Sequence, residues 1–301
     1  MFNIETPYQI DEIIDPLFSS KGIKMSIARL DLIHSIVSGN KLFKLHYFIK
    51  EAIEKNISTI ITFGGAYSNH LVATAYYTNS IGLDCYGIVR GEEPDNYSHT
   101  LLNCLKYNMK LLFIPREKYD DKNKNTLLTD LNLTEFKSMV IPEGGYHPLG
   151  AAGASIIMNQ LHKNNYSHIC TAVGTATTLA GLLQNVTPTE KIIAVPVIKN
   201  MNDLESRITY LSQHKQIPTP VVFDHYHVGG YAKKNDALLD FMNNFYKNFS
   251  IQTDFIYTGK MLYALYDQIK NNYFKEGSSI ACIHTGGIQG NLSLPADSLF
   301  F

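Results

Sequence analysis

The sequence predicts an α/β fold: two open, twisted, mostly parallel sheet domains flanked by helices. Three observations carry that expectation. Short apolar runs alternate with helix-length amphipathic stretches over most of the chain, the pattern of parallel strands joined by crossover helices. Glycine-rich turns fall where a strand-like run gives way to a helical one, and open α/β sheets bind ligands at such places. The 301 residues, 45% hydrophobic and 18% charged, suffice for a substantial core in one or two units.

Residues 58–63, Ser-Thr-Ile-Ile-Thr-Phe, read as a buried strand, and residues 69–80 as the helix that follows. Next come a strand at 84–89, a helix at 97–108 and a strand at 110–114. The pattern resumes with a strand at 167–173, a helix at 177–184, a strand at 191–197 and a helix at 203–213. Between the two series, the polar stretch 118–125 reads as a surface excursion, because Asp120-Asp121-Lys122-Asn123-Lys124-Asn125 has nothing apolar to bury. The division expected is a smaller unit at 46–150 and a larger one assembled from 1–45 and 151–301.

Bulk properties narrow the function classes. A net charge of −1 gives no electrostatic reason to expect nucleic acid or an anionic membrane as partner. No run reaches the roughly 18 apolar residues of a membrane span. The start, Met1-Phe2-Asn3-Ile4-Glu5-Thr6-Pro7, has no basic and then apolar leader, so a cytoplasmic protein is expected. Cys85, Cys104, Cys170 and Cys282 are far apart, form no ligand-spaced pair and read as small buried hydrophobes in a reducing compartment. His225 and His227 have no carboxylate or cysteine at ligand spacing, so no metal site is expected there.

Three segments carry chemistry. In Gly39-Asn40-Lys41-Leu42-Phe43-Lys44-Leu45 a lysine stands just inside a helix opening among apolar neighbours. Partial burial beside a second cation lowers an amine's pKa and makes it nucleophilic; Lys44, three residues on, is that cation or a phosphate partner. Gly64-Gly65-Ala66-Tyr67-Ser68-Asn69-His70 follows a strand and opens a helix, where amides and capping side chains receive a carboxylate. Plain N-capping by Ser68 is the bland alternative. Gly174-Thr175-Ala176-Thr177-Thr178 offers amides and hydroxyls to one phosphate. It lacks both the Walker ending and the dinucleotide spacing. An amine, a small-anion site and a phosphate loop together point to pyridoxal 5'-phosphate (PLP), an electron sink held through a lysine. Tyr257-Thr258-Gly259-Lys260, His284-Thr285-Gly286-Gly287, Glu143-Gly144-Gly145 and Gly229-Gly230-Tyr231 are glycine turns that singly read as structural.

Taken in order from about Ile27 to Gly290, these motifs resemble the fold-type II PLP enzymes, in the branch of 1-aminocyclopropane-1-carboxylate (ACC) deaminase and D-cysteine desulfhydrase. The resemblance implies a fold like the tryptophan synthase β-subunit, with PLP in the cleft between two domains, and a homodimer. It implies Lys41 as the lysine that links the cofactor and moves the α-proton. Ser68, Asn69 and His70 match the turn that receives the substrate carboxylate, Asn69 also lying near the cofactor's phenolic oxygen. Gly174, Thr175, Ala176, Thr177 and Thr178 match the phosphate loop. Tyr231 and Tyr257 match two active-site tyrosines, Thr258 the contact to the pyridine nitrogen, and Thr285 a wall of the site.

Within that branch, ACC deaminases carry glutamate where this chain has Thr258, glutamine for His70 and leucine for Thr285. A carboxylate favours a protonated pyridine ring, a stronger electron sink, whereas a hydroxyl suffices for α-proton removal and loss of a good β-leaving group. The expected reaction is therefore α,β-elimination from a small amino acid, D-cysteine giving pyruvate, ammonia and hydrogen sulfide. Its alternatives are ACC deamination to 2-oxobutanoate and ammonia, a non-catalytic PLP- or amino-acid-binding protein, and another β-elimination or racemisation. Two departures stand out. Ala176 holds a loop position that is commonly glycine, at a cost of roughly 1 kcal/mol if φ there is positive. The tail Ile288-Gln289-Gly290-Asn291 also differs from the desulfhydrase pattern.

Overall fold

Parallel strand pairing organises the chain in the computed structural model, which describes residues 3–120, 125–135 and 137–301. The strands are β1 (Ile10–Ile13), β2 (Lys24–Arg29), β3 (Thr59–Gly64), β4 (Asp84–Arg90), β5 (Met109–Ile114), β6 (Ser138–Ile141), β7 (His168–Val173), β8 (Lys191–Pro196), β9 (Val221–Val222) and β10 (Ser279–His284). They form a four-stranded sheet, β5-β4-β3-β6, and a six-stranded sheet, β1-β2-β10-β7-β8-β9. Every pair is parallel except β1 with β2. The α/β class read from the alternating pattern is the observed one.

β3 shows why a buried strand forms here. All six of its residues are buried, as expected of a central parallel strand. Its Thr62 hydroxyl donates to the Ile141 carbonyl on β6 at 2.8 Å, so the polar group is satisfied inside the sheet. Helix Asn69–Ser80 has the bounds read from sequence, because Ser68 caps it, its Oγ accepting from Leu71 N at 3.3 Å.

Three helices fix the functional segments relative to one another. Helix Asn40–Glu54 buries Leu42, Phe43, Leu45 and Phe48, each worth about 1.5–3 kcal/mol when fully removed from water. It lies directly on helix Pro148–Ser155: a Cβ on Gly153 would stand 2.0 Å from the Phe43 carbonyl. Helix Thr177–Gln184 closes in the same way, a Cβ on Gly181 falling 2.4 Å from the Ala151 carbonyl. Small residues thus let three backbones touch.

One expectation needs correction. The 118–125 stretch is not wholly a solvated excursion: Arg116–Tyr119 is a short helix, and Tyr119 is buried edge-on against Phe63 with ring centroids 6.1 Å apart. Residues 121–124 of that stretch lie outside the described residues. Helix Asn40–Glu54 runs without interruption through residue 46. All four cysteines are buried. Among the described residues no helix is long and apolar enough to cross a membrane.

Candidate active site

Lys41 sits on the first turn of helix Asn40–Glu54, and a backbone contact fixes that start. Gly39 has φ +71°, and a Cβ there would lie 1.9 Å from the Thr285 carbonyl, which accepts the Asn40 N–H at 3.3 Å. The final glycine turn, 285–287, is therefore pressed against the lysine-bearing helix. The Lys41 ammonium donates to Asn40 Oδ1 at 2.8 Å, and Asn40 Nδ2 donates to Thr178 Oγ1 at 2.8 Å. One asparagine thus ties the lysine to the Thr177–Gln184 helix. Burial lowers the Lys41 amine to about 8, against an upward pull from Asp254. Lys44 is buried, donates to the Gly144 carbonyl at 3.2 Å, and is lowered to about 7 by burial and by Lys41.

The phosphate-loop candidate follows β7. Ala176, at φ 68° and ψ −2°, occupies the N-cap of helix Thr177–Gln184 without a side-chain cap. The helix start consequently presents amides that no side chain of the cap position engages. Thr175 Oγ1 and Thr177 Oγ1 lie 2.9 Å apart at its mouth. Glycines clear the space around it. A Cβ on Gly174 would come within 3.1 Å of the Tyr257 ring, and one on Gly144 within 2.8 Å of Thr175 Cγ2. The Glu143-Gly144-Gly145 turn, structural by its sequence alone, therefore borders the loop and also holds Lys44.

The tyrosines converge as expected. Tyr257 Oη donates to Tyr231 Oη at 3.3 Å, with the rings edge-on at 6.0 Å. Burial pushes the Tyr257 phenol well above its ordinary value and keeps it protonated. The turn ahead of Tyr257 is built by Asp254, a buried residue that the sequence reading did not select. Its carboxylate accepts from the amides of Ile256 at 3.0 Å, Tyr257 at 2.7 Å and Thr258 at 2.9 Å. Burial nevertheless raises its pKa, the amides opposing that shift. A carboxylate ahead of an apolar helix is a capping signal, and this was the signal available. Lys260, the other buried residue missed, is fully enclosed on the first turn of helix Thr258–Lys270.

In the Ser68 turn, the glycines differ. A Cβ on Gly64 would meet Ser68 Oγ at 2.6 Å, whereas one on Gly65 meets nothing nearer than Arg90 Nη2 at 3.6 Å. Asn69 lies against the final turn, its Nδ2 3.0 Å from a Cβ position on Gly287. The His70 ring is buried, with Nε2 2.9 Å from Thr62 Oγ1. Thr62 spends its own proton on Ile141, so Nε2 carries the hydrogen. Burial and the two lysines lower His70 to about 3, which keeps it neutral. Thr62 thus engages one ring nitrogen, and Nδ1 is buried with no hydrogen-bond partner.

Whether these residues suit PLP can be judged from their unused groups. Asn69 Oδ1 is buried with no hydrogen-bond partner, and Thr258 Oγ1 faces the Asp254 carboxylate without a hydrogen bond of good geometry. Buried polar atoms are rarely left so. With the Lys41 amine and the uncapped Gly174–Thr178 amides, they offer an aldehyde partner, a phosphate cradle and polar contacts for a ring. The set fits. A family profile described as "Pyridoxal-phosphate dependent enzyme" matches residues 16–286. The chain belongs to this family. Its cofactor is pyridoxal 5'-phosphate.

Relatives of this PLP-dependent enzyme are consistent in kind. It is 29% identical over 297 residues to a D-cysteine desulfhydrase of Salmonella choleraesuis, covering 92% of this chain and 90% of the relative. A D-cysteine desulfhydrase of Salmonella typhi is likewise 29% identical over 297 residues, with the same coverage. Among solved structures, an ACC deaminase homologue superposes with a TM-score of 0.81 at 25% identity, covering 94% of this chain and 90% of its own. Serine racemase from Dictyostelium discoideum shares the fold, with a TM-score of 0.65 at 16% identity over 94% of this chain and 92% of its own.

Proposed function

We propose that this PLP-dependent enzyme catalyses α,β-elimination from a small D-amino acid, D-cysteine giving pyruvate, ammonia and hydrogen sulfide. The observation that carries the reading is a half-buried lysine whose amine is tied through Asn40 to the phosphate-loop helix. Bound PLP supplies an electron sink for a carbanion at the substrate's α-carbon. Lys41, lowered to about 8, has a neutral fraction near pH 7–8 and serves as the base at that carbon. Lys44, itself lowered to about 7 by burial and by Lys41, holds the Gly144 turn beside the loop. Gly174, Thr175, Ala176, Thr177 and Thr178 would hold the phosphate. Ser68 and the amides opening helix Asn69–Ser80 would take the substrate carboxylate, with Asn69 between that carboxylate and the cofactor ring. Tyr257 and Tyr231, paired through their hydroxyls, would hand a proton to the departing β-substituent.

Thr258 inclines the reading towards hydrosulfide loss over opening of a cyclopropane ring, because a hydroxyl does not enforce protonation of the ring nitrogen. ACC deamination is kept as the second reading, since the ACC deaminase homologue shares this scaffold over nearly the whole chain. Two units divided near 46–150, a homodimer and a cytoplasmic setting belong to the same proposal; light scattering at twice 33.9 kDa tests the dimer. The function is tested by supplying D-cysteine, L-cysteine, D-serine and ACC separately and quantifying the oxo acids. Pyruvate from D-cysteine, lost in Lys41→Ala, is expected. 2-Oxobutanoate from ACC with no pyruvate from D-cysteine selects the second reading.

A further inference from the structure

Residues 227–232 concentrate left-handed backbone: Val228 (φ 52°), Gly229 (φ 85°), Gly230 (φ 129°) and Ala232 (φ 53°). For a β-branched valine that region is an outlier, and such strain persists only where the surroundings impose it. One face of the segment gives little support. There Asp224, His225 and His227 line a cavity of about 700 Å³ that contains none of the site residues above. On the other face stands Lys260, whose ammonium donates to the His227 carbonyl and to the Gly230 carbonyl, both at 2.8 Å. Its side chain is fully buried, so water does not substitute for either acceptor. The residue after Gly230 is Tyr231, which accepts from Tyr257. One helical turn therefore carries Tyr257 and Thr258 directly and grips the segment bearing the second tyrosine.

We propose that Lys260 is a positioning residue: its ammonium latches the strained 227–230 segment and so sets the Tyr231 hydroxyl against Tyr257. The latch rests on the reading given above for the two tyrosines, but its mechanical part stands apart from any substrate. Exposed Lys233 and Lys234 lie just beyond Tyr231 and supply a reporter. In the holoenzyme, Lys260→Met is expected to raise trypsin cleavage after Lys233 or Lys234 roughly tenfold while the lysine-dependent cofactor absorption is retained. The same variant is expected to lower kcat on D-cysteine roughly tenfold with a smaller change in KM, and to add almost nothing in a Tyr231→Phe background. Unchanged cleavage overturns the latch. So does an equal loss of kcat in both backgrounds, which marks a general structural defect. If Lys260→Met does not fold, Lys260→Gln, which keeps a shorter donor, is expected to show intermediate cleavage, and wild-type cleavage in it overturns the proposal. If the wild-type enzyme leaves D-cysteine untouched, the functional reading fails while the cleavage comparison still decides the latch.

Discussion

Replacing Gly39 by alanine tests the contact that places the lysine. The added Cβ would stand 1.9 Å from the Thr285 carbonyl oxygen, 2.3 Å from its carbon and 2.6 Å from Gly286 N. All three atoms are backbone, so no rotamer change relieves the overlap. Left-handed φ costs alanine about 1 kcal/mol, and forced overpacking adds about 1–3 kcal/mol. Gly39→Ala should therefore lose about 2–4 kcal/mol of stability, part of it through the Asn40 N–H bond to Thr285. Two other glycines separate the terms. Gly82 has φ +73° with nothing within 4 Å, so Gly82→Ala should cost only the conformational part, about 1 kcal/mol. Gly65 has neither positive φ nor a close neighbour, so Gly65→Ala should stay within about 0.5 kcal/mol of wild type. Urea unfolding of the three variants at constant slope gives the differences. The cofactor absorption should weaken in Gly39→Ala alone, because the 285–287 turn must retreat from the lysine-bearing helix. If Gly39→Ala unfolds with the same midpoint as Gly82→Ala, the close approach is wrong and Lys41 is not placed by it.

Other outcomes follow from the same geometry. Burial holds Lys41, Lys44 and Lys260 at about 8, 7 and 8 instead of 10.5. The unfolded chain then binds more protons above pH 7, so stability of the cofactor-free protein should rise with pH from about 7 to 9. Above 9 the buried cysteines, whose thiols are raised, work in the opposite sense. The rise should shrink in Lys44→Met, and a flat profile from wild type would contradict the lowered amines. Asp254→Asn should lose about 3 kcal/mol in chemical unfolding, since a buried carboxylate serving three amides becomes an amide with opposed donors. Wild-type stability in that variant would remove Asp254 from the turn. Tyr257→Phe should lower kcat on D-cysteine about 100-fold with little change in unfolding midpoint, and unchanged turnover would exclude its proton from the reaction.

How much of this was legible depended on whether a local signal carried the feature. Helices Asn69–Ser80 and Thr177–Gln184 read correctly because each follows an apolar strand and a glycine-bearing turn, and each is a helix-length segment that the core buries on nearly every side. β6, β10 and β2 escaped the reading. β6 is only four residues long, and β2 and β10 lie far apart in sequence yet pair with each other, a fact no local pattern carries. The grouping of Lys41, the Ser68 turn, the Gly174 loop and Tyr257 was legible through the order of their motifs; of the glycines there, Gly39 faces the Thr285 backbone, whereas Gly64, Gly144 and Gly174 face the side chains of Ser68, Thr175 and Tyr257. Ala176 was read as costly only if φ is positive there, and its φ is 68°. The Thr62 contact to His70 Nε2 was not legible, because it depends on a strand neighbour that the fold brings near. Asp254 had a local capping signal ahead of its helix, whereas Lys260 gains its meaning from the His227 and Gly230 carbonyls that the fold brings near, which no local pattern discloses.

Three buried amines lie near this site, and the account depends on which one holds the cofactor. Lys44 is engaged by the Gly144 carbonyl and Lys260 by two carbonyls, whereas among the described residues Lys41 is held by the Asn40 side chain alone. Borohydride reduction of the PLP-bound enzyme, followed by mass mapping of its peptides, decides among them. The account predicts the cofactor's added mass on Lys41 and on no other residue. Added mass on Lys44 or Lys260, or none on any lysine, would contradict it.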